Sequence, residues 1–236
     1  MQRDHISVRV DGTPSLRVIS QSGKVVVLAE DRDDVLVSGT RVSAEVGADG
    51  VVGISGSGSG NIEVRCPAGS CVAIGTSSGS IEVRGDPGDV RATSASGAVT
   101  VESARRADLR SETGRVKVGC CGDNCRVQTT SGSVEVERSA ATEVSTASGA
   151  VTVGRAEGRM RVRTASGRVE LGGSGRDDIT VQTMSGRVTV KLPPETRPAA
   201  RLRSMTGREH CELPDGADCL VAVQTMQGAI DVVGME

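Results

Sequence analysis

A parallel β-solenoid is the fold class that this sequence predicts, on three observations. A Ser/Thr-Gly-x-Val/Ile-x-aliphatic hexad returns along most of the chain; aliphatic and polar residues alternate on both sides of each glycine; and none of the 236 residues is Phe, Tyr or Trp. Aromatic side chains normally supply much of the buried area of a globular core. Their absence predicts a narrow interior filled by Val, Ile, Leu, Ala and Thr. The 31 glycines set against seven prolines predict many tight turns.

The hexad appears as Ser22-Gly23-Lys24-Val25-Val26-Val27 and Ser59-Gly60-Asn61-Ile62-Glu63-Val64. It returns at Ser78-Gly79, Ser96-Gly97, Thr113-Gly114, Ser131-Gly132, Ser148-Gly149, Ser166-Gly167 and Ser185-Gly186, with weaker copies at Thr206-Gly207 and Gln227-Gly228. From Gly60 onward the glycines are 19, 18, 17, 18, 17, 18, 19, 21 and 21 residues apart. A fixed period of this size marks a repeat architecture whose coils bury their apolar faces only by stacking on neighbours. The 37 residues from Gly23 to Gly60 leave room for two coils. The second of these is degenerate, with Thr40 in the glycine slot and Val35, Val37 and Val42 around it. Residues 1–50 are therefore expected to hold degenerate coils and a cap, and residues 51–236 regular coils of the same single domain. Antiparallel hairpins of a β-sandwich also give short strands and many turns, but they do not require one motif at a fixed step.

Each coil reads as two half-buried strands. After the glycine, the second and fourth positions are aliphatic (Val99 and Val101, Val151 and Val153, Val188 and Val190), with polar residues between. Period-two alternation of this kind puts the aliphatics on one face. Before the glycine, the seventh and fifth positions back are mostly apolar (Met160 and Val162, Ile179 and Val181), and the third is Ser or Thr: Ser94, Ser111, Thr129, Thr146, Thr164, Thr183, Ser204 and Thr225. Parity turns these hydroxyls inward, where they are expected to satisfy one another and the amides of the turn. About twelve coils, each rising about 4.8 Å and wound right-handed, would extend roughly 55 Å. The irregular stretch Met1 to Ser15 is expected to cap one end, and Gly234-Met235-Glu236 to leave an open edge at the other.

The formal net charge of −2 and the missing aromatics argue against nucleic acid as a partner. The N-terminus has no apolar secretory segment and no apolar run is long enough to span a membrane, so a cytoplasmic protein is expected. No cofactor is predicted, and a small-molecule substrate is not expected.

Seven cysteines are the richest chemical feature. Cys66 and Cys71 flank one turn, Cys120, Cys121 and Cys125 a second, and Cys211 and Cys219 a third. Three readings stand: reduced thiols, cross-turn disulfides, or metal ligands, although Cys120-Cys121-x-x-x-Cys125 departs from the usual Cys-x-x-Cys spacing. His5 and His210 are the only histidines. Adjacent strand residues face opposite ways, so His210 and Cys211 are expected not to meet. Asp31, Asp33 and Asp34, and also Asp177 and Asp178, lie in turn-like stretches where Asp bonds the local backbone. The run Gly53 to Gly60 lacks the following Lys and helix of a phosphate loop. No catalytic or metal site is predicted, and the chain is not expected to be an enzyme. The position two before the glycine should face outward. In three coils it is Met184, Met205 and Met226, a ladder expected to form a partner surface, or to fill a wider core if the 21-residue coils enlarge the interior.

The spaced Ser-Gly-x-Val-x-Val hexads, from about Val18 to Val232, resemble the bacterial putative-adhesin β-strand-repeat family (domain of unknown function 4097). The resemblance implies a parallel β-solenoid and transfers no active-site residue. Some members resemble accessory components of envelope-stress systems, which implies a non-catalytic scaffold or protein-interaction module tied to that regulation. A more distant similarity to bactofilins implies a self-assembling filament instead, and the family label implies a surface adhesin if the chain is exported.

Overall fold

The structure, a computed structural model, describes residues 4–10 and 12–235. The described residues are all β, with strands mostly paired in parallel, and no helix among them is long and apolar enough to cross a membrane. They divide into two compact units, Met1–Gly122 and Asp123–Glu236. Each is described by itself.

The first unit opens with β1 (Asp4–Arg9), β2 (Ser15–Ser20), β3 (Val25–Glu30), β4 (Asp34–Gly39) and β5 (Val42–Val46). It continues with β6 (Val51–Gly56), β7 (Ile62–Pro67), β8 (Cys71–Thr76), β9 (Ile81–Gly85), β10 (Asp89–Ser96), β11 (Val99–Thr113) and the start of β12 (Val116–Ser131). Two strands joined at a Ser-Gly corner make one coil, as β2 and β3 do. The predicted alternation holds: Val25, Val27, Val99, Val101, Val116 and Val118 are fully buried, and Ser94 and Ser111 are buried beside them. Each such valine contributes about 1.5–3 kcal/mol when removed from water.

The coils do not stack in chain order. β2 lies between β6 and β8, and β3 between β7 and β9, so the coil of β2 and β3 is inserted between those of β6–β7 and β8–β9. The connection from β7 to β8 therefore crosses a level: Ala68 N donates to the carbonyl of Glu30 at the end of β3, and Gly69 N to that of Asp86 beyond β9. The stretch read as a degenerate coil is a coil run backwards. Val35, Val37 and Val42 are buried, but β4 is antiparallel to β7 and β5 is antiparallel to β6. Thr40 does occupy the corner slot, its carbonyl 2.9 Å from where a Cβ on Gly60 would sit. The N-terminal stretch is less irregular than expected, because β1 forms an antiparallel ladder with β4. The other residues of that predicted cap include 1–3 and 11, outside the described residues.

The second unit holds the rest of β12, β13 (Val134–Ser148), β14 (Val151–Ala156), β15 (Met160–Ser166), β16 (Val169–Gly173), β17 (Ile179–Ser185) and β18 (Val188–Leu192). Beyond them come β19 (Ala199–Thr206), β20 (Glu209–Cys211), β21 (Leu220–Gln227) and β22 (Ile230–Gly234). One ladder runs β13, β15, β17, β21, β19 and the other β13, β14, β16, β18, β22, β20. Here too a coil is inserted: β21 and β22 lie inside the coil made before them. The expected open edge at Gly234 is thus corrected, since β22 is paired on both sides by β18 and β20; Glu236 lies outside the described residues. The 21-residue spacings do not widen the core either. Their extra residues are the connections 193–198 and 212–219, which carry the chain past the level of β21–β22 and back.

The glycine corners record the same order. A Cβ on Gly79 would lie 1.8 Å from the carbonyl oxygen of Gly23, one on Gly97 2.3 Å from that of Gly79, and one on Gly114 2.2 Å from that of Gly97. In the second unit Gly186 meets Gly167, Gly228 meets Gly186, and Gly207 meets Gly228. Both roles of glycine operate at Gly167, where φ is 137° and a Cβ would lie 2.0 Å from backbone oxygen. The inward hydroxyls depart from expectation. Those of Thr146, Thr164, Thr183 and Thr225 donate to the carbonyl two residues on, rather than to one another. The Thr76 hydroxyl, in the same slot of an earlier coil, does accept from its corner amide, that of Gly79.

Gly79→Ala should cost on the order of 3 kcal/mol, because the obstructing group is the backbone carbonyl of Gly23 and not the end of a flexible side chain. Gly75→Ala, four residues away with open space around its Cβ position, should change stability by less than about 0.5 kcal/mol. Thermal melting of the two variants checks this.

Candidate functional site

The strand parity that buries Thr183 and Thr225, and leaves Ser204 half-buried in the same slot, turns the next residue outward, and in three neighbouring strands that residue is methionine. Met184, Met226 and Met205 are 58%, 49% and 76% exposed, so they lie on the surface and do not fill the core. The register of β17, β21 and β19 puts Met226 in the middle, with Met184 and Met205 on either side. Chain order had implied Met205 as the middle rung. Sequence reasoning also passed over Arg161, Arg163, Arg201 and Arg203, exposed on the same face. The signal was present in Arg161-Val162-Arg163 and Arg201-Leu202-Arg203, whose arginines share the outward parity of the methionines.

The other candidates are scattered. Cys66 is buried and Cys71 exposed, and neither is in a disulfide. Burial pushes the Cys66 thiol up from about 9 to about 11, against the lowering effect of Ser70 and Arg32. Cys120 is exposed; its neighbour Cys121 is buried and donates to the Arg105 carbonyl at 3.6 Å; Cys125 is buried. Cys211 donates to the Leu213 carbonyl at 3.6 Å. Cys219 is buried, and burial raises its thiol, helped by Asp218, Asp178 and Asp177. No group of three or more His, Cys, Asp or Glu that could hold a metal ion occurs among the described residues.

His210 is exposed and 3.6 Å from Glu212, whereas Cys211 aligns with the inward Val232, so the two point apart. His5 Nδ1 lies 3.0 Å from Ser38 Oγ in an exposed cross-strand pair. Asp34 is held by Arg32 and by the Ser7 hydroxyl, and the Arg32 hydrogen bond first, then that of Ser7, keeps its carboxyl below the ordinary range. Asp178 accepts the Leu220 amide at 3.2 Å, a structural role at the start of β21. Gly53 and Gly56 belong to β6, and Gly58, with φ of 88°, to the turn after it, so this run is strand and corner.

The family model of Toastrack DUF4097 matches residues 3–215. The chain belongs to this family. Two solved structures share the Toastrack fold with it. One, from Parabacteroides distasonis, carries the name putative lipid binding protein; it is 13% identical with a TM-score of 0.61, over 98% of this chain and 96% of that one. The other, from Bacteroides fragilis, is named a putative adhesin; it is 11% identical with a TM-score of 0.54, over 98% and 97%. No curated protein matches this Toastrack chain.

The raised Cys66 thiol has a consequence in alkali. The unfolded chain releases this proton near pH 9 and the folded chain near pH 11. The native state therefore binds more protons across that interval, and stability falls as pH rises through it. The melting temperature of the wild type should decline more steeply from pH 9 to 11 than that of Cys66→Ala.

Proposed function

We propose that this chain is a non-catalytic scaffold that binds a protein partner. The observation that carries this reading is the set of three exposed methionines in register on adjacent strands. Methionine is flexible and polarizable and is over-used at adaptable binding surfaces, and grouped exposed apolar side chains mark interaction sites. The adhesin named for the Bacteroides fragilis neighbour is a binding role on the same fold and agrees with this reading. The coils, about twelve with the reversed one included, are taken to wind right-handed, as parallel crossovers favour.

A filament is the competing reading, favoured by one observation: β19 and β20 pair on one side only among the described residues. Glu209 speaks against it. Its register partner is the buried Ile230, so it stands where the other coils carry an aliphatic. Its carboxylate accepts the Ser204 amide. A charge in a core position of an edge strand is a known guard against strand addition.

Affinity capture with the full chain from its native cells should retain a protein in near-equal amount. The triple change of Met184, Met205 and Met226 to Ser should lose that protein while melting within a few degrees of wild type. Failure of the wild type to retain any protein defeats the reading. Glu209→Val should create concentration-dependent assembly in sedimentation velocity that the wild type lacks. Wild-type filaments would instead favour the competing reading.

A further inference from the structure

We propose that the outward face of β15, β17, β21 and β19 docks an acidic, partly apolar protein segment, an inference that rests on the protein-binding reading above and adds the chemistry of the partner. Register lays out this face as three rows across four strands. One row is Arg161, Thr180, Ala222, Arg201, and the next is Arg163, Gln182, Gln224, Arg203. The third, next to the corner, ends in Met184, Met226 and Met205. Its twelve positions include four arginines and no carboxylate. Among the described residues none of these four arginines pairs with an acid. Arginines on other strands do so: Arg91 with Asp108, Arg105 with Asp89, Arg126 with Glu143. Two carboxylates border the face and both are engaged elsewhere: Glu143, in register with Arg161, holds Arg126, and Glu209 accepts the Ser204 amide. A chain of net charge −2 thus gathers four arginines beside its exposed methionines.

The charge selects the partner. Arg161 and Arg163 are about 7 Å apart along a strand, and the arginines of β15 and β19 are three ladder steps, about 14 Å, apart. An extended segment rises about 3.4 Å per residue. Carboxylates four residues apart on one of its faces therefore reach Arg163 and Arg203 together, and guanidinium binds carboxylate in a two-pronged fork. Gln182 and Gln224 lie between, free to meet the segment's backbone, and the methionines accept its apolar side chains. A second copy set face to face would place arginine against arginine. Single-stranded nucleic acid would find no aromatic to stack on, and a bilayer no aromatic to sit at its interface.

The test uses the full chain and a fluorescently labelled ten-residue Glu-Leu peptide, Ser-Glu-Ser-Leu-Ser-Glu-Ser-Leu-Ser-Glu, whose Glu and Leu share one face when extended, followed by anisotropy. The wild type should bind it, more weakly at higher salt, and should bind a Lys-Leu peptide of equal length at least tenfold less well. Arg163→Glu/Arg203→Glu, and separately the Met184, Met205 and Met226 to Ser triple, should each weaken binding at least tenfold with unchanged melting temperature. Arg163→Gln/Arg203→Gln serves in place of the charge reversal if that variant is unstable. Equal binding of both peptides, undiminished binding by the variants, or preference for phosphatidylglycerol vesicles over the Glu-Leu peptide overturns the proposal. The two readings separate in the capture experiment. A partner retained in full by Arg163→Glu/Arg203→Glu defeats this site and leaves the scaffold reading intact, whereas a wild type that retains no protein defeats the scaffold reading itself.

Discussion

The contact of one glycine corner with the carbonyl of the next is the constraint on which the rest of each unit depends. At Gly149, Gly167 and Gly186 the distance from a would-be Cβ to the neighbouring glycine oxygen is 1.9–2.0 Å. No side chain fits there. Once the corners stack, the register of both strands of the coil follows. Thr146, Thr164, Thr183 and Thr225 then fall in the same slot, each donating to its own corner carbonyl, and Val151, Val169, Val188 and Ile230 stack behind them fully buried. A slip of one residue would turn every one of those side chains to the solvent face.

This accounts for what the sequence made legible. Parity from the glycine identifies which residues are inside, and it does so for Val99, Val188 and Ser94 as well as for the outward Met184. The order of the coils is another matter. Every regular coil presents the same aliphatic pair, the same hydroxyl and the same glycine to both neighbours, so the repeat encodes compatibility between coils and not their sequence in the stack. Nothing in Val25-Val26-Val27 distinguishes Ile62 from Ile81 as a partner, and in fact it has both. The direction of β4 and β5 was hidden for a related reason: the alternation of Val35, Val37 and Val42 reads the same from either end. The clues lay in the connections, where Pro193, Pro194 and Pro198 and the long turn before Cys219 supply length that one level of rise does not need.

The candidate site was legible to the same degree. The outward placement of the methionines follows from parity, but their neighbour relations follow from coil order. Arg161 and Arg163 are about 40 residues from Arg201 and Arg203 in the chain, and they become opposite sides of one face only because β17 and β21 separate β15 from β19. The cysteines were the conspicuous chemical residues, yet local geometry disperses them. Cys66 packs inward beside Ala29 of the neighbouring strand level, while Cys71 begins a strand facing out. Conspicuous residue types therefore mark packing here, and plain surface residues in register form the site.

The inserted coils bear on how each unit is made. During synthesis a chain emerges from its N-terminal side, and a simple repeat could add each new coil to the growing edge. Neither unit does so throughout. β2 and β3 wait for partners on both sides until β8 and β9 have been made, more than fifty residues later. β21 and β22 pair with β17 and β18 on one side and with β19 and β20 on the other, so the coil made before them has no partner until they arrive. Contacts of such long sequence separation slow folding relative to local ones, and β17 and β19 share no ladder until β21 arrives between them. The second unit thus keeps its penultimate coil unpaired until its last strands are made, although its sequence looks as though it could add each coil in turn.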